Sequence, residues 1–415
     1  MVHVSEPTVE GKYVHWDKLR NLTPPGPLTH EDWWLGLKFR RMQSRSIPLV
    51  DTAGLPFSFN LADPLTQHLH EVDSLARGVV QMPEPITNPE TRDRYLIRSL
   101  IDEAITSSQL EGASTTREVA KRMIREGRRP RDPGEQMIAN NYAAMKSIID
   151  RKDRDLTRDM IFDIHRIVTD GTLSDSTGAG RFRRSDEPIL VGDDQDQVFH
   201  VPPPAEQLEA RMASMCDFAN GRSPAYFIHP MLRSIILHFW LAYDHPFIDG
   251  NGRSARALFY WSMLRHGYWL LEFISISKII LQGPAKYGMA FLYTETDEND
   301  LTYFLHYHAE VIRRAIDELH DYLDRRMQQV RRADLELRGL TRLNHRQRDV
   351  IGHAVRHPGQ RYTIETHRNS HNVVYETART DLMDLVDQGL FEKRKVGKFW
   401  HFSPVSDLGE RLKRP

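Results

Sequence analysis

The sequence predicts a mainly α-helical protein of more than one domain. Three observations carry that expectation. Apolar residues recur at helical spacing through the middle of the chain, period-two alternation is confined to short stretches, and the pattern changes after about Leu343. At 415 residues the chain can bury more than one core. Lys plus Arg number 56 against 57 Asp plus Glu, so no global field holds a long nucleic acid or an acidic membrane, and any such contact must be local. The single cysteine, Cys216, excludes a disulfide framework and a thiolate metal cage. The N-terminal residues lack the order of an export signal, and no apolar run approaches the ~18 residues that span a bilayer. A cytoplasmic protein without membrane contact is expected.

Residues 1–62 mix Trp16, Trp33 and Trp34 with Pro24-Pro25-Gly26-Pro27 and read as an accessory segment, irregular until a short helix after Thr29. Residues 63–300 read as a helical core. Ile97, Leu100, Ile101, Ala104, Ile105 and Ser108 trace one helix face, and Leu232, Ile235, Ile236 and Phe239 trace another. Within that core, 187–201 reads as a lone β-hairpin, Ile189-Leu190-Val191-Gly192 and Val198-Phe199-His200-Val201 around an acidic turn. Residues 301–342 read as a linker helix. In 343–415, helices at 347–355, 364–369 and 373–388 precede a ribbon of 390–395 and 399–402. This last module resembles a winged helix-turn-helix.

The chemistry is concentrated in His245-Pro246-Phe247-Ile248-Asp249-Gly250-Asn251-Gly252-Arg253-Ser254-Ala255-Arg256. Gly250, Asn251 and Gly252 favour positive φ, so their amides can converge on an anion at the start of the next helix. Arg253 and Arg256, three apart, can set two guanidinium forks beside one polyphosphate. Asp249 is a hard oxygen ligand suited to Mg²⁺ that bridges phosphates. His245 is the side chain whose ordinary pKa lets it accept a proton near neutrality. No lysine follows the glycines, which excludes a Walker loop. His306, His308, His345, His367 and His371 lack partners at metal spacing, so no zinc is expected.

This run resembles, position by position, the H-x-F-x-D/E-G-N-G-R-x-x-R signature of the Fic (Fido) family. The resemblance implies a helical core with a β-hairpin flap and the transfer of AMP from ATP to a Ser, Thr or Tyr hydroxyl of a protein, this chain itself included. His245 would be the base and Asp249 the Mg²⁺ ligand. Gly250, Asn251, Gly252, Arg253 and Arg256 would bind the nucleotide, with Arg253 on the β side and Arg256 on the γ-phosphate. Gly180-Arg181-Phe182-Arg183 resembles the family's G-x-F-R segment, and Ile189, Leu190 and Val191 its target-docking flap. Ser107-Ser108-Gln109-Leu110-Glu111-Gly112 resembles the inhibitory motif S/T-x-x-x-E-G/N on a helix of about 91–112. Glu111 would then pair with Arg256 in the place of the γ-phosphate, Ser107 would steady the carboxylate, and removal of AMP is a second activity the same glutamate can serve.

Two other functions fit the residues: a DNA-binding regulator with a nucleotide-sensing core, and a transferase that uses another nucleotide donor. Residues 343–415 hold 13 Lys plus Arg and 9 Asp plus Glu, a net of +4, with Lys393, Arg394, Lys395 and Lys398 on the ribbon. The 373–388 helix carries Glu376, Asp381, Asp384 and Asp387 beside Arg379, an acidic field that argues for protein docking or a homodimer over DNA.

Overall fold

The computed structural model describes residues 6–77, 89–192, 197–338, 343–357, 359–371, 373–396 and 399–412. The side chains of 89–97, 125, 326, 327, 329–338, 356, 396 and 399 lie outside that description, as does the acidic turn of residues 193–196. The chain divides into two compact units, Met1–Leu319 and His320–Pro415.

In the first unit the Pro230–Asp244 and Asn251–Arg265 helices pack against each other at the centre. Each is buried almost all round, with Trp240, Phe239, Phe259 and Trp261 at most 1% exposed, so the pair forms the core itself. Pro230 at the first turn of one helix and Gly250 before the other mark where each begins. Around them lie the Pro89–Leu110, Pro133–Asp150 and Arg158–Thr169 helices, the last two capped by Asp132 and Thr157. Glu103 fixes the Pro89–Leu110 helix to this core. It is 1% exposed, and its carboxylate accepts from Tyr260 Oη at 2.9 Å, Ser275 Oγ at 2.8 Å and Ser277 Oγ at 2.5 Å.

The N-terminal segment belongs to the same unit. The helix expected after Thr29 is His30–Arg41, closed by a capping box between Thr29 and Asp32. Arg41 is 4% exposed, donates to Tyr303 Oη at 2.9 Å and Val14 O at 3.0 Å, and stacks on Tyr13. The hairpin at 187–201 is not alone: Arg45–Val50 pairs antiparallel with Pro56–Phe59, and Leu301 N–H donates to Ser58 O at 2.8 Å. Pro48 inside the first strand hid that ribbon in the sequence, because proline cannot supply a ladder N–H. The 187–201 ribbon is shorter than expected, Val191–Gly192 against Val198–His200, which leaves Ile189 and Leu190 ahead of the strand.

In the second unit, the helices His345–Arg356, Ile364–His371 and Tyr375–Asp387 precede an antiparallel ribbon, Phe391–Val396 with Phe399–Pro404. Val350, Ile351, Ala378, Leu382, Leu385, Phe391 and Phe402 form its separate core. The Thr302–Arg338 helix contains the boundary of the two units in sequence, between Leu319 and His320. Among the described residues no helix is long and apolar enough to cross a membrane.

Candidate active site

The Pro230–Asp244 helix ends at His245, whose backbone is left-handed (φ 44, ψ 56). That conformation costs a non-glycine residue on the order of 1 kcal/mol. Neighbours hold it there. His245 N–H donates to Leu241 O at 3.0 Å, Arg183 Nε donates to His245 O at 2.9 Å, and Arg183 N–H donates to Pro246 O at 2.8 Å. The His245 ring Nδ1 lies 3.2 Å from Ala242 O. A carbonyl can only accept, so Nδ1 carries the proton and Nε2 keeps its lone pair. Burial is the main cause that brings the imidazole pKa down to about 4, and the ring is neutral at pH 7.

The turn that follows is closed by a reciprocal pair. Phe247 N–H donates to Asn251 Oδ1 at 2.9 Å, and Asn251 Nδ2 donates to Phe247 O at 2.8 Å. The Asn251 side chain, expected on a phosphate, is thus committed to the loop, and its backbone N–H is what it can offer an anion. Gly250 has φ 80, and a Cβ there would lie 2.7 Å from Thr169 Cγ2, so both conformation and space require glycine. The Asp249 carboxylate is half exposed and accepts from Gly250 N–H at 2.5 Å and Arg253 Nη2 at 3.2 Å. Arg253 is fully buried, and its Nη1 donates to Val168 O at 2.7 Å.

Sequence reasoning missed His165. It is fully buried on the Arg158–Thr169 helix and stacks on Phe247 with ring centroids 3.8 Å apart and planes at 11°. Gly180 N–H donates to its Nδ1 at 2.9 Å, so Nε2 carries the proton and donates to Asp249 O at 2.9 Å. It thereby ties the Gly180–Arg183 segment to the turn after His245. A lone histidine on an apolar helix face carries no sequence signal that distinguishes it from core. His165→Ala is expected to lower stability by about 2–4 kcal/mol, since it opens a cavity and orphans a buried N–H and C=O. Urea unfolding checks this.

Burial also brings His165 down to about 4, as it does His245. A histidine depressed in the fold from an ordinary ~6.5 leaves the unfolded chain binding more protons between those values, so its contribution is full above pH 6.5 and lost as pH falls toward 4. Unfolding measured from pH 7 to 4 is expected to show that decline. In His165→Gln the slope is expected to lessen by about 1.4 kcal/mol per pH unit.

Glu111 follows the last residue of the Pro89–Leu110 helix, and Gly112 beyond it has φ 91. Its carboxylate meets Arg256 Nη2 at 2.7 Å. Arg256 is 2% exposed; its Nε donates to Ser107 Oγ at 2.8 Å and its Nη2 to Ser107 O at 2.9 Å. Ser107 therefore holds the arginine, where the sequence reading had it steady the carboxylate. Glu111 also lies against Gly252, where a Cβ would run into Oε1. The carboxylate has been carried from the C-terminal end of its own helix, where the dipole disfavours it, to the N-terminal end of Asn251–Arg265, where an anion is favoured.

Glu111, His245, Gly252 and Arg256 line one cavity of about 480 Å³, with Val191 and Phe199 of the short ribbon and Tyr287 and Phe291 of the Pro284–Thr296 helix. Asp249, Gly250, Asn251, Arg253, Ser107, Ile189 and Leu190 do not line it. His200 anchors the ribbon through contacts with Tyr243 O and Glu295 Oε2, each 2.7 Å. Among the described residues no three His, Cys, Asp or Glu are grouped to hold an ion. Asp249 as a single accessible carboxylate suits Mg²⁺ that brings phosphate oxygens with it, since that ion takes one or two carboxylates from protein.

Residues 155–263 match the model of the Fic/DOC family, so the turn and its histidine lie inside that match. Two curated relatives are protein adenylyltransferases named Fic. That of Nematostella vectensis is 28% identical over 45% of this chain, and that of Aedes aegypti is 30% identical over 42%. The matches span 41% and 32% of those proteins. A crystal structure of a Fic family protein from Desulfovibrio desulfuricans superposes with a TM-score of 0.54 at 18% identity, covering 82% of this chain and 95% of that one. At that identity the likeness is one of fold.

Proposed function

We propose that the chain is a protein adenylyltransferase held inactive by Glu111. The observation that carries this reading is the Glu111 carboxylate, ion-paired with buried Arg256 at the N-terminus of the Asn251–Arg265 helix, in the same cavity as the neutral, Nε2-accepting ring of His245. On this reading the carboxylate stands where a nucleotide phosphate would bind.

With Glu111 withdrawn, Arg256 is free to take the γ-phosphate, and the Asn251 and Gly252 amides at the helix N-terminus are left for the remaining phosphates, the Gly250 N–H being held by Asp249. The target hydroxyl gives its proton to His245 Nε2 as its oxygen bonds to the α-phosphorus. The bond from that phosphorus to the bridging oxygen breaks, and pyrophosphate leaves. Asp249 would hold Mg²⁺, which neutralises phosphate charge when bound. Arg253, pinned between Val168 O and Asp249, orients that carboxylate. The Val191–Gly192 and Val198–His200 ribbon has open backbone groups at its edge and exposed Leu190, Val198 and Phe199, which support docking of an extended target segment by strand addition.

The reading is tested by incubating the Glu111→Gly protein with ATP labelled at the α-phosphate and following label on protein. Label that His245→Asn removes supports it. A protein that only senses nucleotide leaves no label, and a transferase with another donor is identified by competition with unlabelled UTP, GTP or CDP-choline.

A further inference from the structure

The short ribbon beside the cavity is fastened to the rest of the first unit on the side of its second strand, Val198–His200. Arg183 makes one tie. It donates through Nη2 to Pro203 O, just past that strand, and through Nε to His245 O at 2.9 Å. His200 makes the other. Its side chain is 9% exposed, its ring packs on Tyr243 with centroids 4.6 Å apart, and both ring nitrogens are engaged. Nε2 lies 2.7 Å from Tyr243 O and Nδ1 2.7 Å from Glu295 Oε2.

Both partners are acceptors. A carbonyl oxygen cannot donate, so Nε2 carries a proton, and the carboxylate opposite Nδ1 calls for a second. A neutral imidazole has one N–H to give and would set its remaining lone pair against Glu295. The surroundings favour both protons on the ring. Tyr243 O is among the last four carbonyls of the Pro230–Asp244 helix, which lack partners within the helix and form its negative end, where a cation is stabilised. Glu295, on the Pro284–Thr296 helix, then completes a charge-assisted hydrogen bond. The neighbouring Asp244 carboxylate is already engaged, by Arg211 Nε at 2.7 Å and Trp240 Nε1 at 3.1 Å.

We propose that His200, protonated on both ring nitrogens and paired with Glu295, is a positioning residue that sets the docking ribbon over His245. The proposal rests on the adenylyltransferase reading. Tyr243 precedes His245 by two residues, Val191 is the direct partner of His200 across the ribbon, and Val191, Phe199, His200 and His245 line one cavity. The height of a target segment added to the ribbon, measured from His245, is therefore fixed by the hydrogen bonds of one imidazole. Glu295 carries the same tie to the helix that supplies Tyr287, Phe291 and Leu292 to the cavity wall. In this role His200 touches no reacting atom, so loss of the tie is felt in use of the protein acceptor and not in binding of ATP.

The test uses full chains in the Glu111→Gly background near neutral pH, with ATP labelled at the α-phosphate as donor and a tagged His245→Asn copy of the chain as protein acceptor. His200→Phe keeps the ring packing and removes both donors. It is expected to lower kcat/KM for the acceptor by about ten- to a hundredfold, the scale of a small misplacement, with the KM for ATP little changed. The ATP-induced rise in melting temperature, kept in this variant, certifies its fold. Glu295→Gln is expected to retain most of the transfer, because its amide can donate to an unprotonated Nδ1. Nitrogen NMR of protein labelled in its histidine rings, with the His200 signals assigned by their loss in His200→Phe, is expected to show two N–H nitrogens in the parent and one in Glu295→Gln. A bare ring nitrogen on His200 in the parent overturns the proposal. So does a His200→Phe protein that uses the acceptor as well as its parent, or whose loss lies wholly in the KM for ATP. Label absent from the Glu111→Gly parent itself marks failure of the adenylyltransferase reading, and the proton count on His200 is read in either case.

Discussion

Glu111→Gly is expected to raise transfer of AMP onto protein by roughly one to two orders of magnitude, the range for loss of an inhibitory coupling of about 1–3 kcal/mol. The expectation follows from where the charges are. Arg256 is almost wholly buried and satisfied by Ser107 and Glu111 together, so a nucleotide must displace the carboxylate before the guanidinium can meet a phosphate. Removing one partner of a buried charge pair ordinarily costs several kcal/mol, because the other charge is stranded. Here Ser107 keeps two hydrogen bonds on the arginine, and the phosphate that replaces Glu111 restores the anion. The variant should therefore lose stability without ligand and regain it with ATP, a rise in melting temperature that the parent protein shows much less. The site of relief is local. The buried Glu103 carboxylate anchors the preceding turns to Tyr260, Ser275 and Ser277, so the proposed inhibition would be lifted by movement of the segment around Glu111 with the rest of the helix in place.

His245→Asn in the Glu111→Gly background is expected to reduce transfer by about 10²–10⁴-fold, the usual contribution of a positioned general base. Asparagine is the fitting replacement because it tolerates the left-handed backbone that His245 adopts at φ 44, whereas alanine would add strain and mix a folding effect with the chemical one. ATP binding should persist, since the imidazole contributes a lone pair and no phosphate contact. The acid limb of the pH profile should lie below the ordinary histidine value, toward 4, because burial keeps the ring neutral. Glu111 raises that value, so the limb moves further down when Glu111 is removed.

The geometry of the 245–256 turn was legible in the sequence because its parts are contiguous: the histidine that caps one helix, the Gly250 that needs positive φ and the arginine on the next helix are set by local spacing alone. Helix ends with strong caps, such as Thr29 with Asp32 and the glycine at 389, were legible for the same reason. What joins distant segments was not. His165 reaches Asp249 and Gly180 across the fold, Arg183 donates to the carbonyl of His245, and Ser107 bonds the arginine and not the carboxylate about one helical turn away in sequence. Each choice depends on which groups burial leaves without water, and that is decided by packing. The same holds in the second unit, where the residues along one helix did not show that Asp381 pairs with Arg346 and that Asp384 accepts from Gln347.

The central claim is that a glycine-lined turn presents the α-phosphorus of ATP to a hydroxyl activated by His245. It is tested most directly by giving the Glu111→Gly protein ATP labelled at the α-phosphate in one reaction and at the γ-phosphate in another, then counting label that survives denaturation on protein. The account expects label from the α position alone, with pyrophosphate released in equal amount. Label from the γ position, or none from either while ATP is bound, would contradict it.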